Sequence, residues 1–282
     1  DRGKEHPDFY LSKTITPWGE AAPWFDKVRE ALENEDYREA DRMQRRVQGH
    51  YSENYQPLGS LEITYPEGEI TEYRRLLDIS SAHAEVTYRK DGKLFKAEYI
   101  ASAPDSVIVI RLSSEAPIEA SITLDSQLPH HTSASGNMLI SDGYAAWHSY
   151  PNYYYNFKER FLYDPDRGIH FRTVVSCDGA VAHDGRLVIS DVKEATIRIV
   201  NSTSFAGFDR DPVKEGKEYK DAALNNMAQA MAKDWKTLRK RHEDDYKNLF
   251  DRVSLNLGRT DKEVREFPTD VQLLRYADGE SN

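Results

Sequence analysis

Apolar and polar positions alternate with a period of two through much of this chain. Ala84, Val86 and Tyr88 are set against Glu85, Thr87 and Arg89, and Phe95, Ala97, Tyr99 and Ala101 against Lys96, Glu98 and Ile100. That period predicts strands with one buried face. Asp91-Gly92 lies between the two runs, where the positive dihedrals of a primed turn favour these residue types, so the hairpin closes locally and its register is fixed. Val107 to Ile110 is apolar at every position, as expected of a strand covered on both faces. Ile118, Ala120, Ile122 and Leu124 alternate with Glu119, Ser121, Thr123 and Asp125, a half-buried strand. A second turn, Asp184-Gly185, joins a run from Ile169 to Val181 to another at Leu187 to Ser190, and Ala195, Ile197 and Ile199 close the series. With about ten such runs between Gly59 and Asn201, the predicted fold is mainly β, a large antiparallel β-sandwich.

Helical periods flank the strands. Residues 1 to 22 carry Pro7, Pro17 and Gly19 and predict a loop or one poor strand. Pro23 opens a helix in which Trp24, Phe25, Val28 and Leu32 recur at helical spacing. A second helix starts near Glu35, with Tyr37, Ala40, Met43 and Val47 opposite Arg38, Glu39, Arg42 and Arg45, so a short helical pair covers about residues 23–48. Composition changes at Gly207 to Gly216. One helix is then expected from about Glu218 to Asp251, with Ala223, Met227, Met231, Trp235, Leu238, His242, Tyr246 and Leu249 along one face. The expected organisation is a β domain at 1–206, linker helices at 207–258 and a lead-in segment at 259–282.

Charge narrows the partners. Among 282 residues the formal net charge is -10 and no long basic run occurs, which argues against nucleic acid or an anionic membrane surface. Apolar runs are strand-length, far below the roughly 20 residues that span a bilayer. Cys177 is the single cysteine, so neither an intrachain disulfide nor a cysteine-based zinc site is possible, and its place in the alternating run predicts a buried small hydrophobe.

The segment from Trp147 to Tyr155 is dense in rings. Aromatic faces pack on the C–H side of sugars while His and Asn bond hydroxyls, so Trp147, His148, Tyr150, Asn152, Tyr153 and Tyr154 are the candidate binding residues. The same rings would equally serve packing at the end of the sandwich or against another domain. His130-His131 is expected in a solvated loop, because adjacent side chains on extended backbone diverge and make a poor metal pair. His242 is expected to be a hydrogen-bonded interface residue, and Asp209, Asp211 and Glu215 a helix-entry turn lacking the spacing of a calcium loop. Asn201-Ser202-Thr203 fits a glycosylation acceptor but falls within an expected strand. No phosphate-cradling glycine loop and no nucleophile elbow is present, and no cofactor or metal is implied.

Several motifs together carry a resemblance: Tyr55-Gln56-Pro57-Leu58-Gly59, Tyr73 to Asp78, Ala101-Ser102-Ala103-Pro104-Asp105 with the following Val-Ile-Val-Ile-Arg-Leu, Thr203 to Phe208, His242 with Asp245-Tyr246, Leu249 to Val253, and Pro268-Thr269-Asp270. In order and spacing they resemble the N-terminal β-sandwich and linker region of glycoside hydrolase family 95, the inverting α-L-fucosidases. The resemblance implies opening strands upstream of Asp1 and an (α/α)6 catalytic barrel beyond Asn282. Its catalytic carboxylates belong to the barrel, so no catalytic residue is carried onto this chain, which is expected to be inert alone. It further implies fucosylated or L-galactosylated glycans as substrates of the whole protein, the missing barrel as partner, and a periplasmic or secreted location. A free-standing carbohydrate-binding or adhesin-like sandwich is the alternative. The equivalent domain of a disaccharide phosphorylase would share the architecture and fails only on the quoted motifs.

Overall fold

The computed structural model describes residues 15–16, 19–20, 22–47, 55–150, 158–207, 209–256 and 258–279. Two short strands, β1 (Ile15–Thr16) and β2 (Gly19–Glu20), precede the helical pair α1 (Ala22–Glu33) and α2 (Tyr37–Gln44). The strands β3 (Ser60–Thr64), β4 (Ile70–Asp78), β5 (His83–Lys90), β6 (Lys93–Ser102), β7 (Val107–Asp125), β8 (His130–Ser135), β9 (Met138–Tyr144), β10 (His148–Ser149), β11 (Phe161–Leu162), β12 (His170–Cys177), β13 (Ala180–His183) and β14 (Arg186–Thr203) follow. Among the described residues four helices follow: α3 (Lys220–Met231), α4 (Trp235–Phe250), α5 (Lys262–Arg265) and α6 (Thr269–Ala277).

Among the described residues ten strands join one antiparallel sheet in the order β4-β5-β6-β7-β14-β12-β9-β8, with β13 on β14 and β3 on β7. Both Asp-Gly turns form as expected. Asp91 and Gly92 have φ 50 and 75, Asp184 and Gly185 φ 47 and 74, and each pair closes a two-residue loop between Lys90 and Lys93 or His183 and Arg186.

The strand ends expected after Ile110 and after Ser190 do not occur. β7 and β14 are single strands of 19 and 18 residues. Pro117 falls between Ser113 and Ile118, where the β7–β14 ladder is interrupted, so its missing N–H breaks no ladder bond. Opposite, Asp191 takes φ 54 and its N–H donates to Glu119 Oε1 at 3.0 Å, which holds the bulge. On either side of these irregularities the two long strands change neighbours. β7 pairs first with β6 and then with β3, and β14 first with β13 and then with β12.

Facing residues of both halves share one core, in which Leu112, Ile122, Leu139, Val175, Cys177, Leu187, Ile189 and Ile197 are fully enclosed. The opposite face is covered too. Val109, Val174 and Val200 lie under Ala223, Met227, Ala230, Trp235 and Leu238 of α3 and α4. Burying side chains such as Met227 or Leu238 contributes roughly 1.5–3 kcal/mol each. The helical arm is therefore seated on the sandwich along its first half.

The single helix expected from Glu218 to Asp251 is two helices. Asp234 adopts extended backbone and its carboxylate accepts the Thr237 N–H at 2.8 Å, an N-cap that starts α4 afresh. Arg198 Nη2 donates to the Lys233 carbonyl at 3.3 Å, fixing the break against the sheet. Beyond Tyr246 the apolar face is not covered: Leu249, Phe250, Val253 and Leu255 are exposed, as are Leu273, Leu274 and Tyr276 of α6. The N-terminal pair forms at the expected place, with Asp36 capping α2 through the Glu39 N–H, but Phe25, Leu32 and Tyr37 stay exposed.

Candidate functional site

Where α4 meets the sheet, three of the sequence motifs converge. His242 is buried, with Nδ1 3.1 Å from the Ala101 carbonyl and Nε2 3.1 and 3.0 Å from those of Ser81 and Ala82. Tyr246 donates to the Ile79 carbonyl at 2.6 Å, one turn further on. Asp105 receives Ser102 Oγ at 2.9 Å, Arg241 Nε at 2.9 and 3.1 Å, and the Lys233 ammonium at 3.4 Å. Burial works to raise the Asp105 carboxyl, but these donors outweigh it and hold the group below its usual range. Asp78, closing the motif at 73–78, is held at about 2 by the hydroxyls of Ser80 and Ser81 and the Ser80 N–H. The expectation of an interface histidine is met, and the residues around it form a clamp between arm and sandwich.

Beside this clamp a cleft of about 850 Å³ opens between α4 and strands β6, β7 and β14. Its described carboxylates have cationic neighbours: Glu194 is 2.9 Å from Arg111, Asp178 2.8 Å from Arg198, Glu243 2.7 Å from Arg239 and Asp244 2.7 Å from Lys240. Glu98, only 3% exposed, is approached by Lys96 at 3.2 Å, Arg239 at 3.4 Å and Arg111 at 3.5 Å. Glycoside hydrolysis needs two carboxyl groups facing each other across a sugar, one of them as an acid. The cleft instead presents a network of ion pairs joining helix to sheet.

Of the candidate binding residues, Trp147, His148 and Tyr150 are brought together, whereas Asn152, Tyr153 and Tyr154 lie outside the described residues. β10 pairs with β11, and Trp147 and Tyr150 donate their N–H groups to Leu162 and Arg160, each at 2.9 Å. Gln56 of the 55–59 motif accepts the Ala146 N–H at 3.0 Å, anchoring the segment from ninety positions away. The rings of Trp147 and His148 are 5.6 Å apart, and Tyr150 meets His148 edge-on at 4.4 Å. His148 is 2% exposed, and the Arg167 guanidinium lies 3.5 Å from the centroid of the half-buried Trp147. The described part is thus a packed ring cluster with Trp147 and Tyr150 at its rim.

The remaining candidates are accounted for locally. His130 and His131 begin strand β8 rather than lying in a loop, because the pairing of β8 with β9 starts at His130. The two rings do diverge: His131 is exposed, while His130 is half-buried, with Nδ1 2.8 Å from the Leu128 carbonyl and Nε2 3.2 Å from Asp125. Asp211 accepts the N–H groups of Val213 and Lys214, and Glu215 accepts that of Asp211, so the acidic segment is a self-capped turn. Asn201 lies within β14 and accepts Thr173 Oγ1. Cys177 is fully buried, and burial pushes its thiol up to about 12. Glu98 and His83 escaped the sequence reading. Both occupy positions that alternation assigns to a polar, solvent face, and only the seating of α4 encloses them.

Residues 9–207 match the family described as "Glycosyl hydrolase family 65, N-terminal domain". A curated relative, "Alpha-L-fucosidase 2" of Arabidopsis thaliana, is 27% identical over 275 residues, covering 86% of this chain and 32% of its own length. The chain therefore spans about a third of that relative. Among solved structures, a putative kojibiose phosphorylase from the human microbiome superimposes with a TM-score of 0.44 at 12% identity, over 67% of this chain and 27% of the other. A bacterial glucoamylase complexed with acarbose gives 0.35 at 8% identity, over 67% and 28%.

Proposed function

Because the chain belongs to the glycosyl hydrolase family 65 N-terminal domain family, we propose that it is the noncatalytic front of a longer glycoside hydrolase of the family 95 type, an α-L-fucosidase or α-L-galactosidase acting with inversion. The sandwich and its seated arm support a catalytic domain in this reading. The observation that carries it is the exposed apolar row Leu249, Phe250, Val253 and Leu255, where the helical arm runs off the sandwich. Leu76 on the exposed edge strand β4 and Ile79 just beyond it extend that row, since Tyr246 bonds Ile79 and stacks on Phe250 at 5.1 Å. Apolar area of this kind in a soluble protein marks a contact surface. Support for the sugar comes from the name of the Arabidopsis relative and from the motifs at 55–59, 73–78, 101–105 and 242–253.

The ring cluster of Trp147, His148 and Tyr150, with Asn152, Tyr153 and Tyr154 following it, borders the sugar site of the whole protein in this proposal. A free-standing binding module leaves the apolar row unused. The test is fucose release from 2′-fucosyllactose, with NMR reading the anomer first formed. The full-length protein should release β-L-fucose and residues 1–282 none. Release by the short chain, or, from the full-length protein, neither fucose from this substrate nor L-galactose from the matching α-L-galactoside, would overturn the proposal.

A further inference from the structure

On the helix-facing side of β5 and β6, Glu85 and Glu98 stand directly opposite each other. Like charges in that position repel, and Glu98 is buried, so the pair requires a cation. Lys96 supplies one, its ammonium 2.8 Å from Glu85 and 3.2 Å from Glu98. It leaves one neighbour unused. His83 is 5% exposed, its Nε2 has no hydrogen-bond partner among the described residues, and that nitrogen lies 3.5 Å from Glu98 Oε1.

The His83, Glu85 and Glu98 donor atoms all lie within 4.8 Å of one another. Two ligands of one tetrahedral zinc, each about 2.0–2.1 Å from the metal, stand about 3.4 Å apart, which is the spacing of His83 Nε2 and Glu98. We infer that His83, Glu85 and Glu98 form a site for a divalent transition metal of the zinc class, in which the metal replaces the Lys96 ammonium between the carboxylates.

Two carboxylates balance the metal charge, and imidazole with carboxylate oxygen is a donor set zinc accepts. Lys96 is one-third exposed and can swing to water. Arg111 and Arg239, at 3.5 and 3.4 Å from Glu98, hold that carboxylate in place and compete with the metal for its charge. The ligands join adjacent strands under α4, so bound metal would clip β5 to β6. The inference stands independently of the proposed sugar chemistry.

Calorimetric titration of the 282-residue chain with zinc chloride, free of chelators at neutral pH, tests it. One metal per chain is expected, His83→Ala should weaken binding by about tenfold or more, and Lys96→Met, which removes the competitor, should tighten it by a similar factor. Cobalt(II) should give the visible absorption of a tetrahedral site, a readout that stands even if His83→Ala fails to fold. No binding overturns the inference. So does binding untouched by Lys96→Met and without a tetrahedral cobalt spectrum, which would mark adventitious metal on other histidines.

Discussion

Arg241 on α4 and Asp105 on the β6–β7 turn form an ion pair at 2.9 Å across 136 positions of sequence, with Asp105 almost fully enclosed. The helical arm is pinned to the sandwich through this contact. Truncating Arg241 leaves a buried carboxylate whose donors among the described residues are Ser102 and Lys233. Arg241→Ala should cost about 1–3 kcal/mol in urea unfolding, and a loss below a few tenths would contradict the clamp.

Acid should loosen the same contact. The folded Asp105 carboxyl titrates below its unfolded value near 4, so its contribution is present above that value and disappears as pH falls through the lower folded one. Asp78, held at about 2, acts in the same direction over the window from near 4 down to about 2. Stability measured against pH should therefore drop on the acid side below about 4. Asp105→Asn should flatten that limb, and an unchanged slope would refute the assignment.

His242 lies within hydrogen-bond reach of three backbone carbonyls. His242→Phe keeps most of the volume but removes the ring N–H that bonds these carbonyls, so a loss of about 1–3 kcal/mol is expected. Amide exchange should rise in α4 before it rises in β12, since α4 is the element released.

Gly59 ends the 55–59 motif beside the Ser60–Asp125 pairing of β3 with β7. A Cβ there would stand 2.7 Å from the Asp125 carbonyl oxygen, a backbone atom that cannot step aside cheaply. Gly59→Ala should destabilise the chain by about 1–3 kcal/mol, read from the thermal midpoint.

Cys177 should be silent towards thiol reagents in the folded chain. Its thiol is fully enclosed and pushed up to about 12, so almost no thiolate exists at neutral pH. Reaction with a disulfide reagent should appear only with denaturant, and rapid native labelling would contradict the core described for β12.

Hairpins at Asp91-Gly92 and Asp184-Gly185 were legible because turn chemistry and alternation are local and agree. The continuity of β7 and β14 was not. Pro117 and the polar stretch around Asp191 look like strand ends, and only pairing with a distant strand turns them into a bulge. Asp234 hid for the opposite reason: apolar spacing runs unbroken from Met231 through Trp235 to Leu238, so the pattern reads straight across a cap that re-starts the helix. Glu98 and Ile100 share a face that alternation assigns to solvent, yet both are buried once α4 is seated. The interface role of His242 was legible, because it lies in register with Leu238 and Tyr246. What it bonds to was not, since Ala101, Ser81 and Ala82 come near it only through the fold.

Hydrogen exchange across Leu76 to Ile79 and Leu249 to Leu255, compared between residues 1–282 alone and the full-length protein, tests the supporting role most directly. The account predicts fast exchange in the short chain and strong protection of both segments when the rest is attached. Equal exchange in the two proteins would show that the row supports no catalytic domain and would contradict it.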